Sequence, residues 1–378
     1  MSGVDFCDLA VPGVQGLQPY QPGKPIAELQ REYGVTDVVK LASNENPLGI
    51  SPLAGEAVKA ALAEAHRYPD GNGYYLKQAL ADHHGMEPGR ITLGNGSNDI
   101  LDLVARVFLG PGRKGVFSQH AFAIYALATQ TVGGEGVTVP ALPADHPEQP
   151  FGHDLEAMAA AVDGDTRVVF VANPNNPTGN WCDRASVEAF LERVPVDVAV
   201  VMDEAYIEYA NMDGFPDTTA YLDAYPNLIV TRTFSKAYGL AGLRVGYALS
   251  TPAVADLLNR VRHPFNANSL AQSAATAALG DRSFIQRSVN LNEAERPRVA
   301  AALDDLGYRC LPSAGNFVCV DVGDAAAVNE ALLRRGVIVR PLGGYGLPQC
   351  LRISIGTAAE NDRLLAALGE IAAQRGAS

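Results

Sequence analysis

The chain has 378 residues, 47% of them hydrophobic and 19% charged, which supports one large core with a smaller one beside it and excludes a small disulfide-stapled scaffold. A formal net charge of −13 argues against a general nucleic-acid or polyanion binder, although a local basic pocket can still hold a small anion. The start "MSGVDFCDLA" lacks a cationic region and a long apolar run, no later segment approaches about 18 uninterrupted apolar residues, and the five cysteines show neither CxxC pairing nor dense spacing, so a cytoplasmic, non-membrane protein with reduced thiols is expected.

In chain order, residues 1–40, with Pro12, Pro19, Pro22 and Pro25, read as an extended arm leading into one helix, "PIAELQREYG". From "ITLGN" (91–95) short apolar runs alternate with Ala-rich or charged amphipathic stretches: "GVFSQ", "GVTVP", "RVVFVAN", "DVAVVMD", "NLIVTRT" and "VGYALS". That alternation predicts an α/β architecture, a mostly parallel sheet covered on both faces by helices. Beyond about residue 284 the texture changes: the charged helical run "NLNEAERPRVAAALDDLG" precedes "NFVCVDV", "GVIVRP" and "LRISIG", as in a smaller α+β domain. The expected division is an arm (1–40), a large domain (41–284) and a small C-terminal domain (285–378).

Ligands of such sheets sit beyond the carboxyl ends of the strands, so the residues that follow each strand are the candidates for chemistry. After "ITL", the turn "GNGSND" opens a helix, and the free N–H groups of Gly96, Ser97 and Asn98 suit an anion; an ordinary N-cap would read the same way. A dinucleotide fingerprint would require a third glycine and an acidic residue at the next strand end, and both are missing. "NPNNPTGN" (173–180) places Asn176 after the next strand, and "MDEAYIEY" places Asp203 and Tyr206 after another. A carboxylate at the end of an apolar strand needs a cationic or hydrogen-bonding partner to stay ionised.

The chain has six lysines, and between Lys114 and the C-terminus only Lys236 occurs, in "TFSKAYGLAGLRVG" directly after a strand, beside Ser235 and close to Arg244. An amine, a carboxylate, an amide, a phenol and a phosphate-binding turn on one sheet edge meet the needs of pyridoxal 5′-phosphate. Arginine cannot replace Lys236 in that role, because a guanidinium does not act as a Schiff-base nucleophile at neutral pH. The histidines show no HExxH or similar ligand spacing, so no metal is expected.

These strings, together with "LASNENPLG", "RYPDGNG" and "CLRISIGT", resemble the fold-type I pyridoxal-phosphate aminotransferases over almost the whole chain, and more narrowly the histidinol-phosphate aminotransferase family. The resemblance implies a seven-stranded large domain, a small domain, and an arm packed on the small domain and a partner subunit. It assigns Lys236 the covalent link to the cofactor and the proton shuttle, Asp203 the pyridine nitrogen, and Tyr206 and Asn176 the ring hydroxyl. Gly96, Ser97, Asn98, Thr233, Ser235 and Arg244 would hold the cofactor phosphate, and Tyr68 would reach the phosphate of the other subunit, so a homodimer with shared sites is implied. Phe122 falls where the family usually has a ring-stacking tyrosine. Tyr20, Asn44, Arg340 and Arg352 would bind substrate. The implied reaction is transamination of L-histidinol phosphate with 2-oxoglutarate in histidine biosynthesis. An aromatic amino-acid aminotransferase and a pyridoxal-dependent phosphothreonine decarboxylase are the rival readings.

Overall fold

The computed structural model describes residues 4–19 and 23–376. Strands in chain order are β1 (Val39–Lys40), β2 (Ile91–Gly94), β3 (Lys114–Ser118), β4 (Glu135–Val139), β5 (Thr166–Ala172), β6 (Ala199–Asp203), β7 (Leu228–Thr233), β8 (Gly246–Leu249), β9 (Arg309–Cys310), β10 (Phe317–Asp321), β11 (Val337–Ile338), β12 (Arg340–Pro341) and β13 (Cys350–Ser354).

Seven of them form a mixed sheet in the order β2-β8-β7-β6-β5-β3-β4. Only β8 runs against its neighbours β2 and β7; the other pairings, β3 with β4 and β5, β5 with β6 and β6 with β7, are parallel. Both faces are buried, which explains why the strands read as continuous apolar runs and not as alternating ones. Val169, Val171, Val200, Met202 and Val230 pack on one face with the helices Tyr74–His84, Arg184–Arg193 and Ser269–Gly280. Val168, Phe170, Val201 and Ile229 pack on the other with the helices Ser97–Phe108, Ile124–Thr131 and Pro252–Val261. Helix starts follow ordinary capping chemistry: the side chains of Ser51, Asp154, Asp183, Thr251, Asn268 and Asp281 each accept a hydrogen bond from a first-turn N–H.

A second sheet, β12-β13-β10-β9, buries Val318, Val320, Leu351 and Ile353 against the helices Arg282–Asp305, Ala325–Arg334 and Ala358–Gly376. The first of these helices is continuous for 24 residues and runs through the 284/285 position where the sequence texture changes. "GVIVRP" differs from a single expected strand. It splits into β11, parallel to β1, and β12, antiparallel to β13, because one short segment serves two sheets.

The arm also differs from an extended one. It holds two single-turn helices, Phe6–Leu9, where Asp5 accepts from Cys7 N, and Pro12–Gln15, started by a proline already fixed near helical φ. At Gly13 the arm lies so close to the helix Ile124–Thr131 that a Cβ would fall 2.2 Å from the Gln130 carbonyl oxygen. Among the described residues no helix is long and apolar enough to cross a membrane.

Candidate active site

Period-two alternation along β6 and β7 sorts the charged residues at their carboxyl ends. Asp203 and Thr231 are register partners and face one side of the sheet. Tyr125 donates its hydroxyl proton to Asp203 Oδ2 at 2.9 Å, and Thr231 Oγ1 donates to Oδ1 at 3.1 Å. None of these partners is cationic, so burial pushes the Asp203 carboxyl from 3.8 up to about 6, against the opposing pull of its hydrogen bonds. Burial, and after it the Asp203 charge, also pushes the Tyr125 hydroxyl well above its ordinary range. The next residues, Glu204 and Arg232, face the other side, where Arg232 Nη2 and Nε meet Glu204 Oε2 at 2.7 and 2.9 Å and Nη2 reaches Asp217 Oδ1 at 2.7 Å.

Asp203 forms one wall of a cavity of about 270 Å³, and Lys236, from the turn after β7, another. Lys236 Nζ donates to the Ser43 carbonyl at 3.0 Å and lies 5.6 Å from the Tyr206 ring centroid. Burial first, and the Arg352 charge next, lower this amine from 10.5 to about 7, so a large fraction is neutral at physiological pH. Tyr206, Asn176, Phe122, Thr233, Ser235, Ser97 and Asn98 complete the lining near these two groups.

At the amino end of the helix Ser97–Phe108 no side chain caps the first N–H groups, because the N-cap is Gly96 at φ +83°. A Cβ there would fall 2.4 Å from Arg244 Nη2; the missing side chain lets the guanidinium approach the helix start. Arg244, itself at φ +58°, donates from Nη1 to Ser235 Oγ at 3.3 Å and to the Ala241 carbonyl at 3.1 Å. Backbone N–H groups, the hydroxyls of Ser97, Thr233 and Ser235, and a guanidinium thus line one cavity, a donor set suited to a phosphate-sized anion. With a near-neutral amine and a buried carboxylate lacking a cation, the donor set fits the phosphate, aldehyde and ring nitrogen of pyridoxal 5′-phosphate.

A second cationic end comes from the smaller sheet. Arg340 and Arg352 are direct cross-strand partners on β12 and β13 and both line the cavity, an unfavourable pairing of like charges in an ordinary sheet. Arg352 is 6% exposed, stacks 5.6 Å over Phe317, and among the described residues donates only to neutral acceptors, Asn176 Oδ1 at 2.5 Å and the Ala42 carbonyl at 2.5 Å. Its buried Nε finds no acceptor among the described residues. Such a guanidinium is set to receive an anion.

Not every sequence-derived residue reaches the cavity. Asn44 does not: it is fully buried, its Nδ2 donates to Tyr206 Oη at 2.9 Å, and its Oδ1 accepts from Ser354 Oγ at 2.9 Å. Its amide therefore positions Tyr206. Gly96 stands behind Arg244, and Tyr68 is 83% exposed, stacked on Phe265 with centroids 4.7 Å apart. Tyr20 lies outside the described residues. Sequence reasoning missed Tyr125 and Thr231, which hold Asp203, and Ser43 and Glu45 in the lining.

The family described as aminotransferase class I and II matches residues 36–368. Histidinol-phosphate aminotransferase 2 of Pseudomonas aeruginosa is 59% identical over 372 residues, 98% of this chain and 99% of that one. The enzyme of the same name from Methylococcus capsulatus is 57% identical over 96% of this chain and 98% of its own length. Histidinol-phosphate aminotransferase from Sinorhizobium meliloti, solved in complex with pyridoxal 5′-phosphate, superposes with a TM-score of 0.87 at 35% identity, covering 97% of this chain and 98% of that one. L-threonine-O-3-phosphate decarboxylase of Porphyromonas gingivalis superposes at 0.77 but with 22% identity over 88% of this chain and 99% of that one, a likeness of fold alone. With its strand-end lysine and aspartate, its phosphate cradle and this near full-length identity, the chain belongs to the class I and II aminotransferases, in the histidinol-phosphate aminotransferase branch.

Proposed function

We propose that the chain binds pyridoxal 5′-phosphate and transaminates L-histidinol phosphate with 2-oxoglutarate, giving imidazole acetol phosphate and glutamate for histidine biosynthesis in the cytoplasm. When bound, the cofactor supplies an electron sink for a bond broken at the substrate Cα. The protein's part follows from its own groups. Asp203, held by Tyr125 and Thr231, pairs with the ring nitrogen and keeps its proton, an arrangement that returns the raised carboxyl to its charged form.

Lys236 is the amine that would hold the cofactor through its aldehyde, and its Nζ would carry the proton at the substrate Cα. An amine lowered to about 7 is able both to accept and to release that proton near neutrality. Ser97, Asn98, Thr233, Ser235 and Arg244 hold the cofactor phosphate, and Gly96 makes room for Arg244. Tyr206, fixed by Asn44, and Asn176, fixed by Arg352, would hold the ring hydroxyl, and Phe122 would offer a stacking surface. Arg340 and Arg352 take the substrate phosphate or carboxylate, which lets one pocket read both half-reactions.

Tyr68, so exposed on a single chain, suits a homodimer in which it reaches the partner's cofactor phosphate. The observation that carries the reading is the meeting, in one cavity, of the Lys236 amine with a buried Asp203 carboxylate whose side-chain partners among the described residues are hydroxyls. Lys236→Ala tests it: turnover and the visible absorbance of the covalently held cofactor are both expected to disappear. An active Lys236→Ala protein refutes the mechanism.

A further inference from the structure

The charged side chains lining the cavity all have a task except one. Asp203 serves the ring nitrogen, Lys236 the reacting carbon, Arg244 the cofactor phosphate, and Arg340 and Arg352 the substrate anion. Glu45 lines the same cavity and its charge is among those that act on the Lys236 amine. We propose that Glu45 reads the imidazole of the amino donor, its carboxylate accepting the ring N–H hydrogen bond and thereby setting specificity against a phenyl ring; this rests on the reading of the site given above.

The local backbone is built to present this side chain. Ser43 uses its carbonyl to hold Lys236 Nζ at 3.0 Å. Asn44 then adopts φ +55°, a left-handed conformation that asparagine tolerates better than most residues, with its N–H on Ser354 Oγ at 2.7 Å and its carbonyl receiving Asn316 Nδ2 at 3.1 Å. That kink sends the Asn44 side chain into the interior and returns Glu45 to the cavity two residues after the contact with the reactive amine. Lys40 Nζ donates to Glu45 Oε1 at 2.8 Å, fixing one carboxylate oxygen and leaving the other to accept from a ligand.

The chemistry of the substrate selects the same residue. Histidinol phosphate carries an anion at one end, which the arginines match, and a ring N–H a few bonds from Cα at the other. Other polar lining groups already have protein partners: Asn176 has Arg352, Tyr206 has Asn44, and Thr233 has Ser235. A phenyl ring offers no donor to the second carboxylate oxygen, so the two rings differ by one charge-assisted hydrogen bond at this position.

Glu45→Gln in the cofactor-loaded enzyme tests the proposal. Single-turnover rates are measured separately for histidinol phosphate and for glutamate, which has no imidazole. The ratio of the first to the second is expected to fall about tenfold to a hundredfold, the range of a charge-assisted hydrogen bond. A readout independent of turnover is titration calorimetry of the pyridoxal form. The variant should lose affinity for imidazole acetol phosphate relative to dihydroxyacetone phosphate, which carries the ketone and phosphate without the ring. An unchanged ratio in either measurement, including equal losses for both substrates, overturns the assignment of Glu45. A wild-type enzyme that reacts with glutamate but not with histidinol phosphate overturns the reaction itself, and the assignment with it.

Discussion

Asp203→Asn removes one charge, keeps the side-chain volume and leaves an oxygen facing Tyr125 or Thr231. Stripped of cofactor, the native chain holds the Asp203 carboxyl at about 6, against 3.8 for an unburied aspartate, with burial as the cause. A rise of roughly two pH units, at 1.36 kcal/mol per unit, corresponds to about 3 kcal/mol of unfavourable native-state charge at neutral pH. The sign follows from proton counting. Between 3.8 and about 6 the folded chain binds more protons than the unfolded one, so this group's favourable contribution is complete below 3.8 and is lost as pH rises through about 6. The cofactor-free Asn variant should therefore gain up to about 3 kcal/mol over wild type between about pH 4 and pH 7. Urea unfolding at matched protein concentration, compared at those two pH values, measures the gain. With cofactor bound the order should reverse, because the variant offers no carboxylate to the ring nitrogen. A stability difference that stays flat with pH, or a cofactor-free variant weaker than wild type at neutral pH, refutes the view of Asp203 as a buried charge awaiting a cation.

Gly96→Ala should displace Arg244 and speed cofactor release about tenfold or more, while Gly85→Ala, at a similar positive φ but with open space, should alter only stability by about 1 kcal/mol; cofactor retention equal to wild type in Gly96→Ala would contradict the cradle. Arg232→Met should cost about 3–5 kcal/mol in urea unfolding, because Glu204, 1% exposed, is left without its cation. Adding Glu204→Met should recover most of that loss, and a double variant as unstable as the single one would show that the pair is not the source.

The strands and the reactive edge were legible because a sheet buried on both faces writes itself as apolar runs, and because a lysine or carboxylate at the end of such a run has few structural uses. Arg352, inside β13, came with the family resemblance alone, whereas Lys236 and Asp203 could be found this way. Tyr125 could not, since its hydroxyl meets Asp203 only once the helix Ile124–Thr131 docks on the sheet, and helical sequence alone does not say which residue ends at a strand's tip. The surroundings of Asn44 were hidden for a related reason: its left-handed backbone and its bonds to Tyr206 and Ser354 join residues 162 and 310 positions apart. The same kink hid Glu45. The split of "GVIVRP" was equally invisible, because an apolar run does not reveal that its two halves pair with different strands.

The register of β6 on β7 determines more than the packing. Asp203 and Glu204 are adjacent carboxylates, and Thr231, Arg232 and Thr233 adjacent polar residues, so alternation forces one set into the cavity and the other against the far face. In the observed register the cavity receives the carboxylate whose partners are hydroxyls, while the one with a bidentate arginine lies behind it. A slip of one residue would exchange them, bringing a self-neutralised ion pair to the ligand and burying an unpaired Asp203 in the helix layer. Apolar burial on both faces opposes such a slip, since it would also displace Met202 and Val230 from one core and Val201 and Ile229 from the other. The reactivity of the cavity thus follows from the same hydrophobic pattern that fixes the sheet.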